Sequence, residues 1–181
     1  MTRCVLVVDP LNDFCKGGAL AVPRADEIMP IINAIFPKFT KAIAIQEWHP
    51  EDHFSFVTQG GRWKIHCVAG TWGAEFHPEL NTKFFTAIIR KGINKLKEGY
   101  SAFEDTGLEG LLRSLGITEV FICGLATDYC VSQTALDSDM FFEKTFIIKD
   151  ACRALSPETE KKALQAMTKA GIEIITSDQI K

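Results

Sequence analysis

Short apolar segments, most of them ended by a charged residue or a glycine, recur along the whole chain and constrain its fold more than any other feature. Each has the length and composition of a buried strand, and helical patterns lie in most of the intervals between them. Strands that alternate with helices pair in parallel through right-handed crossovers. The sequence therefore predicts a three-layer α/β fold, a six-stranded, mostly parallel sheet with helices on both faces. The predicted strands are residues 4–8, 42–45, 84–90, 120–123, 146–148 and 172–175.

Length and charge exclude several classes of protein. The 181 residues suit one core, so we expect residues 1–181 to form a single domain. The net charge of -3 and the scattered lysines and arginines give no basic surface for nucleic acid. No apolar run reaches the roughly 20 residues of a membrane helix, and no signal peptide is recognisable. We expect a cytoplasmic protein that binds neither nucleic acid nor membrane; whether it forms a homo-oligomer stays open.

The intervals between the strands predict four helices and one long loop. Residues 26–36 and 108–115 carry apolar side chains at helical spacing. Ser156 followed by Pro157 is typical of a helix start, and we expect that helix to run to Gly171. Residues 50–82 instead carry many glycines and aromatics with little periodicity. A loop of this length inside a compact domain is usually functional.

Residues 119–136 predict a strand, a sharp turn and a helix. We expect Gly124 to end the strand and Thr127 to cap a helix that begins at Asp128, which places Cys130 at the third helical position. Free N–H groups and the helix dipole at that position favour a thiolate. The alternative is that Cys130 is a small buried apolar residue, like most cysteines. The six cysteines show no paired spacing, so free thiols in a reducing compartment are expected.

The carboxyl ends of parallel strands lie along one edge of a sheet. Asp9, Glu47, Lys91 and Cys130 each follow a different predicted strand, so we expect these four residues to meet there. A cysteine with an aspartate and a lysine can carry out acyl transfer, because Asp9 can take the thiol proton and return it to a departing amine. Lys91 would favour both the thiolate and the ionised aspartate. Taken singly, Asp9 also fits a turn-forming carboxylate and Lys91 a solvated lysine.

A second group of polar side chains lies around the start of the long loop. Glu47, His49 and His66 supply a carboxylate and two imidazoles, which are ligands that zinc and other divalent transition metals bind. His53 is a candidate for a further ligand or for a partner of a ligand. The alternative is that these histidines cap backbone groups of the loop. All four histidines fall between His49 and His77, which favours a metal site.

Eight short motifs are spread over nearly the whole chain. They are residues 9–15 (DPLNDFC), 48–50 (WHP), 52–55 (DHFS), 63–68 (WKIHCV), 70–71 (GT), 91–92 (KG), 100–103 (YSAF) and 124–131 (GLATDYCV). In combination they resemble the nicotinamidases of the isochorismatase-like cysteine hydrolase superfamily. Aspartate, lysine and cysteine form the general signature of that superfamily, whereas the WHP and HCV motifs are typical of its metal-binding nicotinamidase branch. The resemblance implies a Rossmann-like, isochorismatase-type fold.

The resemblance also implies roles for individual residues. Asp9, Lys91 and Cys130 correspond to a catalytic triad. The backbone N–H groups of Ala126 and Cys130 correspond to an oxyanion hole, with a cis peptide between Leu125 and Ala126. The residues that correspond to substrate contacts around the pyridine ring are Phe14, Trp63, Tyr100 and Leu125.

The metal site is implied by the same resemblance. One divalent ion, expected to be zinc with iron or manganese as alternatives, would bind the pyridine nitrogen and position the ring through Glu47, His49 and His66. The family usually has aspartate where this chain has Glu47. The extra methylene moves the carboxylate by about 1.5 Å, whereas metal–ligand distances tolerate only about 0.2 Å. We therefore expect a shifted backbone or a different coordination at this position.

These features together predict hydrolysis of nicotinamide to nicotinate and ammonia through a thioester on Cys130, in the salvage of NAD. The nearest alternative is another amidase of the superfamily that acts on carbamoyl or ureido compounds, and Trp63, His49 and His66 argue against it. A nucleotide- or flavin-binding module is a rival of a different class, but no Gly-x-Gly-x-x-Gly follows the first strand. A structural zinc protein is another, and it would unfold on chelation.

Overall fold

A computed structural model describes residues 2–181, which contain one six-stranded sheet in the order β3-β2-β1-β4-β5-β6. Every pair of neighbouring strands is parallel. This confirms the α/β fold and all six predicted strands, whose ends move by a few residues. The strands are β1 (Arg3–Val8), β2 (Lys41–Glu47), β3 (Phe85–Lys91), β4 (Glu119–Leu125), β5 (Lys144–Arg153) and β6 (Glu173–Ile175).

Four α-helices connect the strands: α1 (Ile28–Ile35), α2 (Leu108–Ser114), α3 (Ser132–Phe141) and α4 (Pro157–Ala170). The chain steps from β1 to β2 in one direction along the sheet and from β4 to β5 in the other. Right-handed crossovers then place α1 and α3 on opposite faces. The order reverses between β1 and β4, and the crevice outside the carboxyl ends of such strands is where open α/β sheets bind ligands.

The predicted helices at residues 108–115 and 156–171 are confirmed as α2 and α4, and the helix predicted at residues 26–36 is shortened. The Ser156 hydroxyl accepts a hydrogen bond from the N–H of Thr159 at 3.2 Å, and Pro157 is the first residue of α4, as predicted. Helix α1 begins at Ile28 instead of residue 26, because a 3-10 turn (Ala25–Glu27) precedes it.

Two predicted strand ends are wrong. Strand β4 does not end at Gly124 but continues to Leu125, and β5 does not end at residue 148 but continues to Arg153. Gly124 has a φ of +119°, and a Cβ built on it would lie 2.0 Å from the carbonyl oxygen of Val8. The glycine therefore allows close approach of β4 to β1 instead of breaking the strand.

The prediction for the turn after β4 also needs correction. Thr127 does not cap a helix: the residue before the first turn is Ala126, no side chain caps it, and the buried Thr127 hydroxyl has no partner within residues 2–181. The chain forms a π-helical turn (Thr127–Val131) before α3 begins. Cys130 thus lies in the π-helical turn, not at the third position of an α-helix. Such turns occur frequently at functional sites.

The core rigidly supports the carboxyl edge of the sheet. Residues 4–8 of β1 have no exposed surface, and α1 packs Ile28 and Ile32 into the same core. Burial of each such side chain contributes roughly 1.5–3 kcal/mol to folding. All six cysteines are buried and unpaired. Within the described part of the chain, no helix combines the length and the apolar character that a bilayer crossing requires.

Candidate active site

Three of the predicted residues are fixed by strand ends. Asp9 directly follows β1, Glu47 is the last residue of β2, and Lys91 is the last residue of β3, opposite Glu47 in the register. Asp9 has a φ of +48°, and its N–H donates to the carbonyl of Ile45 at 3.1 Å. A non-glycine residue in this region of φ costs free energy, so its surroundings must impose the conformation that aims the carboxylate. The structure therefore gathers these side chains at the sheet edge, as predicted.

The ammonium of Lys91 is the centre of the cluster. Its Nζ lies 2.9 Å from Asp9 Oδ2, 3.0 Å from Glu47 Oε2 and 3.2 Å from Cys130 Sγ. It also donates to the carbonyl of Gly99 at 2.9 Å. All four charged or reactive side chains are buried, with at most 5% of each residue exposed. One lysine thus links the predicted acid, the predicted nucleophile and a predicted metal ligand.

Burial and charge set the protonation states. Burial alone would lower the pKa of Lys91, but Asp9, Cys130 and Glu47 hold it well above its usual value, so the lysine is charged. Burial raises the pKa of Asp9 to about 6, although Lys91 opposes that rise. Burial also raises the pKa of the Cys130 thiol well above its usual value, and Lys91 only partly offsets this. The resting cysteine is therefore a thiol, in contrast to the thiolate expected from the helix end.

Asp9 is free to receive that proton. Its Oδ2 contacts Lys91 as an ion pair outside hydrogen-bond geometry, and neither carboxylate oxygen has a hydrogen-bond partner among residues 2–181. Asp9, Glu47 and Cys130 each present an atom within 4.8 Å of the other two. At neutral pH Asp9 is ionised, since its pKa is about 6. The geometry suits a general base that acts on the thiol.

The turn before Cys130 has the backbone that the resemblance implied. The peptide between Leu125 and Ala126 is cis. The Ala126 carbonyl accepts hydrogen bonds from the N–H groups of Tyr129 at 3.0 Å and Val131 at 3.1 Å. Neither of these two bonds uses the N–H of Cys130. The two N–H groups expected to form the oxyanion hole belong to Ala126 and Cys130. Both residues line one cavity, which is described below.

Glu47, His49 and His66 form a compact, buried cluster on the other side of Lys91. Each offers one ligand atom, and the three atoms lie within 4.8 Å of one another. Glu47 Oε1 lies 2.9 Å from His66 Nε2 and also contacts His49 Nε2. Burial would raise the pKa of Glu47, but Lys91 and His49 hold it well below its usual value, so the cluster carries a carboxylate.

The donor set fits a cation. The Nδ1 atoms of both histidines face backbone carbonyls, that of Gly92 at 2.8 Å from His49 and that of Lys64 at 2.7 Å from His66. A carbonyl only accepts, so each Nδ1 carries a proton, and in a neutral ring the Nε2 lone pair then faces the Glu47 carboxylate. Three electron pairs then converge, which requires a metal ion or additional protons. Metal-binding histidines are oriented in this way.

The alternative roles of His53 are resolved by its position. The residue is fully buried, but it is not part of the cluster of ligand atoms. Its ring lies 4.0 Å from the ring of His49, centroid to centroid, and its Nδ1 pairs with the Ser55 hydroxyl at 2.7 Å. Burial and the neighbouring His49 lower the pKa of His53 to about 4, so it is neutral. His53 therefore packs behind a candidate ligand.

A cavity of about 470 Å³, measured with its opening to solvent, joins the two clusters. Three of the expected ring contacts line it: Phe14, Trp63 and Tyr100. The expectation for Leu125 needs correction, because this side chain is fully buried and lies outside the lining. Leu125 ends β4, where its side chain packs in the core.

The aromatic wall includes a residue that the sequence reasoning missed. The indole N–H of Trp63 donates to the Tyr100 hydroxyl at 2.9 Å, and the Trp63 ring meets the Tyr129 ring edge to face at 5.1 Å. Arg62 donates to the Tyr129 hydroxyl at 2.8 Å and lies over the Trp63 ring. Tyr129 directly precedes Cys130, which placed it near the nucleophile but did not predict the direction of its ring.

Asp13 was also missed, and it joins the two segments that carry the walls. Its carboxylate accepts hydrogen bonds from the N–H of Cys67 at 2.7 Å and from that of Ala19 at 3.1 Å. Cys67 directly follows His66, and Asp13 directly precedes Phe14. One carboxylate therefore sets the distance between the metal cluster and the ring wall, although sequence alone gave no partner for it.

Comparison with known proteins agrees with this arrangement. Residues 3–179 match the isochorismatase domain family. The chain is 38% identical to the nicotinamidase of Escherichia coli, over 96% of this chain and 94% of that protein. The structure of PnC1 from L. infantum in complex with nicotinate matches with a TM-score of 0.94 and 36% identity, over 98% of this chain and 93% of that one. The pyrazinamidase of Pyrococcus horikoshii in complex with zinc matches with a TM-score of 0.91 and 42% identity, over 97% and 99%.

Proposed function

The chain belongs to the isochorismatase family, and from this premise we propose that it hydrolyses nicotinamide to nicotinate and ammonia through a thioester on Cys130. The observation that carries the proposal is the single cavity whose lining includes both Cys130 and the Glu47, His49 and His66 cluster. A carboxamide on a pyridine ring fits both ends of this cavity, because its amide carbon can react with Cys130 while its ring nitrogen faces the metal cluster. Relatives at 36–38% identity that are nicotinamidases support the same substrate.

The chemistry at the Cys130 end uses two side chains as proton acceptor and nucleophile, two backbone N–H groups and one water molecule. Asp9 accepts the thiol proton, and Sγ attacks the carboxamide carbon to form a tetrahedral intermediate. The N–H groups of Ala126 and Cys130 stabilise its oxyanion. Asp9 then returns the proton to nitrogen, the C–N bond breaks, and ammonia leaves a thioester that water hydrolyses with the same carboxylate as base. Lys91 stays charged throughout and stabilises the transient thiolate at 3.2 Å.

The other end of the cavity would hold one divalent metal ion through Glu47, His49 and His66. A carboxylate with two imidazoles is a common catalytic zinc donor set that keeps a position open, and the zinc complex of the P. horikoshii relative supports zinc over iron or manganese. When bound, the ion supplies a Lewis acid for the pyridine nitrogen. Glu47, His49 and His66 would thereby hold the ring in register with Cys130, and Asp9 would activate the water.

The walls would fix the plane of the ring. Phe14, Trp63 and Tyr100 line the cavity between the two ends. The bond from Trp63 to Tyr100 holds the indole in place. Flat aromatic walls favour a flat aromatic substrate, because offset and edge-to-face contacts between rings are favourable. We place the reaction in the salvage of NAD in the cytoplasm, carried out by one domain that binds neither nucleic acid nor membrane.

Ammonia release from purified protein tests the proposal. We expect turnover of nicotinamide, and of pyrazinamide as a second ring carboxamide, and little turnover of carbamoyl or ureido compounds of similar size. The zinc content of the protein is measured on the same preparation. A preference for ureido over pyridine substrates would contradict the proposal and favour another amidase of the family.

A further inference from the structure

The carboxylate of Glu47 faces two different groups with its two oxygens. Oε1 contacts the Nε2 atoms of His49 and His66. Oε2 lies 3.0 Å from Lys91 Nζ and 3.6 Å from Cys130 Sγ. One side chain at the end of β2 therefore belongs both to the candidate metal cluster and to the catalytic cluster.

These contacts are shielded from bulk solvent. Glu47 is 5% exposed and Lys91 is 1% exposed. In such surroundings the interaction between charges is screened much less than at the surface. The ammonium has two carboxylate partners, Glu47 at 3.0 Å and Asp9 at 2.9 Å. A carboxylate that shares its charge between Lys91 and a metal ion must bind each one less strongly than it would bind either alone.

We propose that Glu47 is a positioning residue that holds Lys91 against Cys130 with one oxygen while the other oxygen binds the metal, so that metal binding and Lys91 are energetically coupled through this side chain. The inference rests on the proposed function only for the roles of the two clusters. The coupling between metal binding and Lys91 does not depend on which amide the protein hydrolyses.

The coupling has a definite sign. Removal of the Lys91 charge leaves Asp9 and Glu47 without their shared cation, and the freed negative charge of Glu47 becomes available to the metal. The variant without this lysine should therefore bind a divalent cation more tightly. The gain should depend on Glu47, because no other residue contacts both the lysine and the two histidines among residues 2–181.

Zinc affinity, measured by competition with a chromogenic chelator, tests the coupling. We compare the wild type, Lys91→Met, Glu47→Gln and the double variant. Neighbouring groups that share a partner couple strongly enough for Lys91→Met to tighten zinc binding by roughly tenfold in the wild-type background. In the Glu47→Gln background the gain should fall to about twofold or less, since a neutral amide does not hold the ammonium. Lys91→Arg restores a cation and should return the affinity towards that of the wild type.

Matched controls separate this coupling from general charge effects. Lys95→Met removes an exposed lysine, paired only with Asp52 on the surface, and should leave zinc affinity unchanged. If Glu47→Gln does not fold, Glu47→Ala supplies the second background, because it also removes the carboxylate. An equal gain from Lys91→Met in both backgrounds, or no gain in the wild type, would overturn the proposal. Because the readout is zinc affinity, failure of nicotinamide hydrolysis would contradict the proposed function and leave this result standing.

Discussion

The two ends of the cavity are built in different ways. At the nucleophile end, Asp9 and Lys91 lie at strand ends whose positions are fixed by parallel pairing, and Cys130 follows within the turn after β4. At the metal end, Glu47 ends a strand, but His66 comes from the long loop and is placed by side-chain contacts such as those of Asp13 with its neighbour Cys67. Bond-making groups therefore sit on rigid elements, and substrate-positioning groups sit partly on a loop.

This difference predicts that the two ends fail differently. Loss of a group at the nucleophile end should abolish chemistry while the fold persists. Loss of a group at the metal end should chiefly weaken the hold on the ring, because the covalent step uses other residues.

The largest effect is expected at the nucleophile. Cys130→Ala should lower kcat/KM for nicotinamide by about 10⁴-fold or more, because no other group can form the thioester. Cys130→Ser should be nearly as inactive, since the site cannot ionise a hydroxyl. Cys4→Ala, a buried cysteine at the far end of β1, is the control that should keep activity. If Cys130→Ala were about as active as this control, Cys130 would not be the nucleophile and the two ends of the cavity would not differ in the way described.

The metal end should show a smaller and different loss. His49→Ala should lower bound zinc and raise KM by about tenfold or more, while Cys130 still reacts with iodoacetamide. The control is His77→Ala, a histidine of the long loop that lies outside this cluster, beside Cys15 and Asp26. Steady-state kinetics and metal analysis check the result. If His49→Ala keeps its zinc and its KM, the cluster is not the metal site.

The acid side of the pH profile should report Asp9. Because burial raises its pKa to about 6, Asp9 is an ionised base above that pH and a protonated, inactive carboxyl below it. We expect kcat/KM to be flat near neutral pH and to fall by roughly tenfold per pH unit on the acid side. Bound zinc is measured over the same range. If kcat/KM falls in parallel with zinc release, the acid side of the profile reports loss of the metal and not protonation of Asp9.

The smallest effect is expected at the wall between the ends. Tyr100→Phe removes the acceptor of the Trp63 indole N–H and should raise KM by about two- to tenfold, the range for one hydrogen bond. Tyr129→Phe removes only a bond to the exposed Arg62 and should have less effect. Equal effects of the two variants would mean that the indole is not held through Tyr100.

The difference between groups at strand ends and groups on the long loop also explains which site residues the sequence could predict. Asp9, Glu47 and Lys91 were found from apolar runs alone, because parallel strands bring their carboxyl ends together whatever the loops do. Phe14, Trp63 and Tyr100 required the resemblance, since a loop without periodicity gives no geometric rule. The π-helical turn at Cys130 was missed because capping preferences describe α-helices. Leu125 was assigned through the resemblance, which does not show that its side chain packs in the core at the end of β4.

Protonation states were predictable only in part. Charges near Cys130 suggested a thiolate, but sequence does not reveal that the thiol is almost completely buried, and burial outweighs Lys91. The shared contacts of Glu47 were equally hidden, because they depend on the direction of a side chain at a strand end.

Hydrolysis through Cys130 requires a thioester intermediate on this residue, which a single-turnover experiment can detect. Enzyme in excess over nicotinamide is quenched with acid at successive times during a single turnover, and the peptide that contains Cys130 is analysed by mass spectrometry. We expect a transient mass increase of one nicotinoyl group on Cys130, which appears with ammonia and disappears as nicotinate forms. Formation of nicotinate while Cys130 stays unmodified at every time would contradict this mechanism.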